Sequence, residues 1–285
     1  MLVNVKKNIL IVGLGLLGGS YAKGLKRYGF RITAITKDKA SIDYAIENGI
    51  IDEGQDFPDT ELISKADIMI FALYPHTFVE WIKENGKHIK KGTLITDVTG
   101  VKVPIVDEIQ SMLPNGAEFV PAHPMAGREV SGVENSTEEI FKGANYIVTP
   151  TDKNTPEAVQ TCMELGRLLG FSNVTTLSPE EHDEMIGFLS QLTHCIAVTL
   201  MTCNDKEDME KFTGDSFRDL TRIARINDLM WSELFVANKP ALLKQMDLFI
   251  DKFNELKTML ENDDTDGMRS MMRHSTARRA LFDKK

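Results

Sequence analysis

The chemistry-bearing residues of this chain fall into three stretches. His123 lies in Phe119-Val-Pro-Ala-His-Pro-Met-Ala-Gly-Arg-Glu129. The proline after it keeps the histidine out of helical geometry, and Gly127 beyond it admits close approach of another group. On such a turn an imidazole can accept a proton near neutral pH, or simply bond a neighbouring carbonyl. The second stretch bears on that choice. Gly13-x-Gly15-x-x-Gly18 follows the apolar run 8–12 and opens a helical pattern, the context in which a glycine-rich turn cradles a dinucleotide pyrophosphate. Gly13, Gly15, Leu16, Leu17 and Gly18 are therefore the expected cofactor contacts, and a hydride-accepting cofactor leaves a proton for His123 to take.

The third stretch, Phe217-Arg-Asp-Leu-Thr-Arg-Ile-Ala-Arg225, spaces Arg218, Arg222 and Arg225 so that a helix would put them on one face, with Asp215 and Asp219 near enough to orient them. Arginine suits bidentate carboxylate recognition; a solvated charged face is the alternative. Elsewhere, the second expected strand ends Thr36-Lys37, where NAD enzymes place an acid for the ribose hydroxyls. A hydroxyl beside a cation favours the 2′-phosphate of NADP, unless Asp38 takes the acid's place. Asp97-Val-Thr-Gly-Val-Lys102 follows a strand, which makes Thr99 and Lys102 candidates for touching cofactor or substrate. Arg128 is a further candidate for holding an anion. No cluster has metal-ligand spacing, so no metal is expected.

Alternating elements must position these residues. Apolar runs at 8–12, 31–36, 68–72 and 93–97 read as buried strands, with 118–121 and 145–148 as further strands. Helical patterns lie between them, among them 40–48, 78–88, 103–112 and 156–169. That alternation implies a doubly wound, mostly parallel α/β sheet of Rossmann type over 1–177. From Ser178-Pro-Glu-Glu181, a helix-start signal, the pattern is helical only, so 178–285 is expected to be an all-α domain. Its long segments are 179–203, apolar on several sides, and 239–262. Such a surplus of apolar surface is commonly buried against a second subunit.

Bulk properties narrow the class. A chain of 285 residues suggests two domains, and its net charge of −9 argues against nucleic acid as a partner. The three cysteines have neither CxxC nor disulfide-framework spacing, which points to a reducing compartment. The first apolar run is too short for a signal peptide, and no stretch approaches the length of a membrane span. A cytoplasmic location is expected.

Taken together, the chain resembles the prephenate/arogenate dehydrogenases of tyrosine biosynthesis, in a short form without a regulatory ACT domain. The resemblance runs from about Asn8 to about Leu256. It rests on Gly13-Leu-Gly-Leu-Leu-Gly-Gly-Ser20, His123-Pro-Met-Ala-Gly-Arg-Glu-Val-Ser-Gly132, Ser178-Pro-Glu-Glu-His-Asp183, Ser190-Gln-Leu-Thr-His194, and the arginine stretch with Met230-Trp231. It implies an NAD- or NADP-dependent oxidative decarboxylase of prephenate or arogenate and an intertwined homodimer through the helical domain. It also implies His123 as the catalytic histidine, Arg222 as the substrate-carboxylate arginine, and His194, Ser190, Glu129, Asp219 and Trp231 around the pocket.

The chain departs from the family pattern at Gly100, where many relatives carry a serine credited with helping the histidine; Thr99 is the nearby hydroxyl. It departs again at Asp215 and Ser216, where relatives often have glycines. Two other readings compete. A β-hydroxyacid dehydrogenase would carry a lysine in the helix that opens the second domain, yet 179–203 contains none. A catalytically silent NADP sensor would not be expected to keep His123, Arg222 and His194.

Overall fold

Short runs of branched apolar residues form the centre of the fold, because both faces of their strands are covered by helices. The computed structural model describes residues 4–283. Strands β1 (Asn8–Val12), β2 (Arg31–Ile35), β3 (Glu53–Gln55), β4 (Ile68–Phe71), β5 (Leu94–Asp97) and β6 (Glu118–Phe119) make one parallel sheet in the order β3-β2-β1-β4-β5-β6. Helices α1 (Leu16–Lys26), α2 (Lys39–Glu47), α3 (Thr60–Lys65), α4 (Pro75–Asn85) and α5 (Val103–Met112) connect the strands. Alternate residues of β1 enter separate cores: Ile9 and Ile11 pack with Leu25 and Tyr146, Leu10 and Val12 with Phe78 and Ile109. The strand order reverses between β1 and β4, which opens a crevice at their carboxyl ends.

A second, smaller sheet was not expected. It contains β7 (Ala122–Pro124), β8 (Asn145–Val148) and β9 (Asn173–Thr176), with β7 antiparallel and β9 parallel to β8; α6 (Pro156–Leu169) leads into β9. The expected strand at 118–121 instead divides at Pro121. Proline has no N–H with which to continue the ladder to β5, and the chain crosses to pair His123 with Ile147 of β8. His123 therefore sits in the middle of an extended strand, not on a turn, in keeping with the extended bias of a residue before proline.

Among the described residues no strand follows Thr176. Helix α7 (Pro179–Ile186) starts with a complete capping box, in which Ser178 and Glu181 bond each other's backbone. It runs through a π-helical turn, Gly187–Leu192, into α8 (Thr193–Thr202). Within Pro179–Thr202 an 18-residue window has a mean hydropathy of 1.4, so the segment is long and apolar enough to cross a membrane by length and composition, which corrects the expectation that no stretch approaches the length of a span. Its buried His182, Asp183 and Gln191 are nonetheless hydrogen-bonded to other parts of the protein. Helices α9 (Asp215–Thr221) and α10 (Asp228–Ala237) follow. The chain divides after Asn238 into two compact units, the second built of α11 (Lys239–Glu261) and α12 (Thr265–Arg279).

The tight turn after β1 depends on glycine. Gly13 has φ +94°, and a Cβ there would lie 2.4 Å from the Ala72 carbonyl oxygen; at Gly18 it would lie 2.0 Å from the Gly13 carbonyl oxygen. Both obstacles are backbone, which cannot swing aside. Gly18→Ala should therefore weaken nicotinamide dinucleotide binding at least about tenfold, equivalent to about 1.4 kcal/mol. It should also lower Tm, both readable from thermal melts with and without cofactor.

Candidate active site

His123 is held by the backbone on its N-terminal side. The Ala122 N–H donates to Asp97 Oδ1 at 2.9 Å, and the Ala122 carbonyl accepts from Lys102 Nζ at 2.6 Å. Lys102 Nζ also contacts Asp97 Oδ2 at 2.7 Å, and both side chains are fully buried. Its remaining contact is Thr99 Oγ1 at 3.2 Å. Three contacts engage the ammonium's three protons, so Lys102 is not available to a cofactor, contrary to the expectation for it. The Thr99 hydroxyl is likewise taken, by Asp97 and by the Val101 carbonyl. It makes no hydrogen bond to His123 and does not replace the serine absent at Gly100.

The partner of His123 is one that sequence reasoning passed over. Its Nδ1 lies 2.9 Å from His182 Nε2, and His182 Nδ1 lies 2.7 Å from Asp183 Oδ1. The Asp183 carboxylate accepts the backbone N–H of Lys102 at 2.9 and 3.1 Å and that of Val103 at 2.9 Å, so it caps α5 from outside. Loss of water depresses His123 well below the usual histidine range, with His182 and Lys102 adding to the effect. Desolvation and Lys102 depress His182 as well. Burial raises the Asp183 carboxyl to about 6, opposed by the two backbone N–H groups. Near neutral pH the carboxylate is charged and both rings are neutral. The adjacency His182-Asp183 was the available signal, but only the docking of α7 on α5 gives it meaning.

The π-helical turn shapes the next group. His194 Nδ1 donates to the Ser190 carbonyl at 2.8 Å, and its ring stacks on Trp231 with 3.7 Å between centroids. Gln191 Nε2 donates to the Leu234 carbonyl at 3.1 Å, while Asn238 Nδ2 donates to Gln191 Oε1 at 2.7 Å and to the Asp183 carbonyl at 2.8 Å. These buried amides tie α10 to the His182-Asp183 segment. A Cβ at Gly100 would meet Leu234 at 3.6 Å and His123 Cε1 at 3.8 Å, so that position borders the His123 ring without crowding.

The arginine stripe does not exist as one helix face. Helix α9 stops at Thr221, Arg222 begins a 3-10 turn, and Arg225 is extended. Arg222 reaches Glu129 at 2.5 Å, whereas Arg218 pairs with Asp215 at 2.6 Å. The extra acid at Asp215 is thus neutralised within its own helix. Asp219, Ser216 and Arg128 are exposed.

At the carboxyl end of β1, Gly15 precedes the first residue of α1 and no side chain caps that helix. A Cβ at Gly15 would meet nothing within 4 Å, so there is open space beside this uncapped helix end, the kind of end that suits an anion. At the end of β2, Thr36 is half-buried and Lys37 exposed. Asp38, the residue that could have undone their assignment, is committed to capping α2 through the N–H groups of Ala40 and Ser41.

A Rossmann sheet with an open phosphate cradle, facing a helical segment that supplies a histidine–carboxylate chain and an arginine, defines a nicotinamide-dependent dehydrogenase. Family models agree. Residues 21–172 match the nucleotide-binding domain of prephenate dehydrogenase, and 178–274 match its dimerization domain. The chain is 32% identical to the prephenate dehydrogenase of Bacillus subtilis, over 93% of this chain and 73% of that protein. It is 30% identical to the cyclohexadienyl dehydrogenase of Zymomonas mobilis, over 93% of this chain and 92% of that one. The crystal structure of prephenate dehydrogenase from A. aeolicus, in complex with hydroxyphenyl propionate and NAD+, superposes with a TM-score of 0.90 at 30% identity, covering 97% and 98% of the two chains. The chain belongs to the prephenate dehydrogenase family.

If Lys102 is structural, Lys102→Met should leave a buried, unpaired Asp97. It should cost about 3–5 kcal/mol of stability, measured by urea denaturation. Cofactor affinity of the folded fraction should change far less than in Gly18→Ala.

Proposed function

We propose that the protein catalyses the oxidative decarboxylation of prephenate or arogenate, with hydride passing to NAD(P)+. The observation that carries this reading is a neutral, half-buried His123 whose strand is held to the carboxyl end of β5, with its Nε2 in no hydrogen bond among the described residues. The substrate is a cyclohexadienol with a carboxylate on the ring carbon opposite the hydroxyl. When bound, the nicotinamide supplies the hydride acceptor; Gly13, Gly15, Leu16, Leu17 and Gly18 would hold its pyrophosphate. His123 draws off the hydroxyl proton as the ring carbonyl forms, a general base that loss of water keeps unprotonated at neutral pH. Carbon dioxide then leaves as the ring becomes aromatic, so no group beyond this base is asked to drive that step.

Arg222 binds a substrate carboxylate, exchanging Glu129 for it, and so orients the ring for transfer. His194 and Trp231 form an aromatic wall, Ser190 sets the His194 ring through its carbonyl, and Asp219 and Arg128 border the opening. Thr36 and Lys37, with Asp38 occupied in capping, favour NADP over NAD. The division of labour falls near 177/178, the helical part serving substrate binding and a homodimer. Exposed apolar side chains such as Phe188, Leu189, Leu229 and Val236, and separately Phe253 and Leu260 on α11, are the surface such a dimer would cover. We assign the protein to the cytoplasm, as its free cysteines suggest.

A four-way assay, each substrate with each nicotinamide and following reduced-cofactor absorbance, tests the reading. Turnover is expected with at least one substrate, at higher kcat/KM with NADP; silence in all four combinations would favour a sensor. Against the active pair, His123→Asn should lower kcat by about a hundredfold or more with cofactor Kd unchanged. Arg222→Ala should raise substrate KM at least about tenfold while leaving cofactor KM near its starting value.

A further inference from the structure

We propose that His182 and Asp183 are positioning residues that set the tautomer of His123, with the first turn of α5 as their anchor. The inference rests on the reading of His123 as proton acceptor and deepens it. It follows from donor and acceptor bookkeeping along one chain of contacts.

Asp183 is the fixed end. Its two oxygens accept the backbone N–H groups of Lys102 and Val103 at 2.9–3.1 Å, which cannot rotate away and can only donate. The amino end of a helix also favours negative charge there. A carboxylate so placed is an acceptor only, so the 2.7 Å contact from His182 Nδ1 must be an N–H donating to Asp183 Oδ1. A neutral His182 then has a lone pair on Nε2. The 2.9 Å contact to His123 Nδ1 is formed only if His123 carries its proton on Nδ1. That leaves the lone pair on His123 Nε2, the nitrogen without a partner among the described residues. The chain therefore selects the one neutral form of His123 that can receive a proton.

Geometry supports a dedicated arrangement. His182 is completely buried and Asp183 nearly so, and the Asp183 carbonyl is held by Asn238 Nδ2 at 2.8 Å. The rings of His123 and His182 meet at 63° with centroids 5.1 Å apart, an in-line hydrogen bond and not a stack. As His123 gains a proton in the reaction, its Nδ1–H bond to His182 becomes a charge-assisted one, and the charge of Asp183 lies beyond. No proton needs to travel along the chain.

Asp183→Asn tests this with little change of shape. The amide oxygen would keep facing the α5 N–H groups, and the NH2 would face His182 Nδ1. That reverses every donor in the chain and places the His123 proton on Nε2. The expected result is a fall in kcat of about a hundred- to ten-thousandfold, with substrate KM and cofactor Kd within about threefold of the parent. Long-range 15N–1H spectra of the His123 ring should show the proton moved from Nδ1 to Nε2. His182→Phe, which keeps the ring volume but removes the acceptor, should lower kcat and leave His123 as a mixture of tautomers. If both variants keep parental kcat, or if kcat falls while His123 stays protonated on Nδ1, the positioning role is wrong. Full turnover by His123→Asn would instead overturn the reading of His123 itself.

Discussion

The buried pair of Lys102 and Asp97 is the interaction on which the site depends. Its two side chains bracket one peptide unit: Asp97 takes the Ala122 N–H and Lys102 takes the Ala122 carbonyl. That peptide precedes His123, so the end of β5 dictates where the His123 ring begins. The backbone N–H of the same Lys102 is given to Asp183, which anchors the far end of the His123–His182 chain. Two charges removed from water are a poor source of stability, since desolvation offsets most of their attraction. Their value here is geometric. The strand carrying His123 and the helix amino end that anchors Asp183 are fixed to one residue.

Helix termini divide the electrostatic work. Five helices begin at the carboxyl edge of the parallel sheet, and Asp38 and Asp59 cap α2 and α3. The first turn of α5 is closed by Asp183, and in α4 the His76 N–H is taken by Glu233 at 2.9 Å. The amino end of α1 has no side-chain cap. In a protein with a net charge of −9, the overall field repels an anionic ligand, so local positive ends must do the attracting. One helix end is bare while its neighbours are closed by the protein's own carboxylates, which leaves α1 as the open positive end.

Features that depend on near neighbours were legible in the chain. The β1–glycine–α1 unit, the helix start at Ser178 and the proline-led starts of α6 and α7 each depend on a few consecutive residues. Their positions followed from periodicity, caps and turn chemistry. His123 was visible because it stands among unusual neighbours, though its strand was read as a turn until β8 was seen to pair with it. Lys102 looked like a ligand contact because a lysine after a strand is usually exposed; nothing local reports that Asp97 and the Ala122 carbonyl wait for it. The arginine spacing was helical, but α9 ends in the middle of it, and Glu129, 93 positions away, holds Arg222.

His182 was the largest omission, for the same reason. In the sequence it is a histidine in the first turn of a helix, a common and unremarkable place. Its contacts are with His123, 59 positions away, and, through Asp183, with the amide of Lys102, 81 positions from that acid. The amino-acid sequence by itself determined the strand and helix order and the glycine turn after β1, and it singled out His123 as the candidate base, since short-range sterics and hydrogen bonding specify the first two and unusual neighbours mark the third. Only the tertiary structure decided which nitrogen of that base is free, which cation is structural and which arginine meets a carboxylate. Those outcomes depend on donors and acceptors that meet only when distant segments fold together.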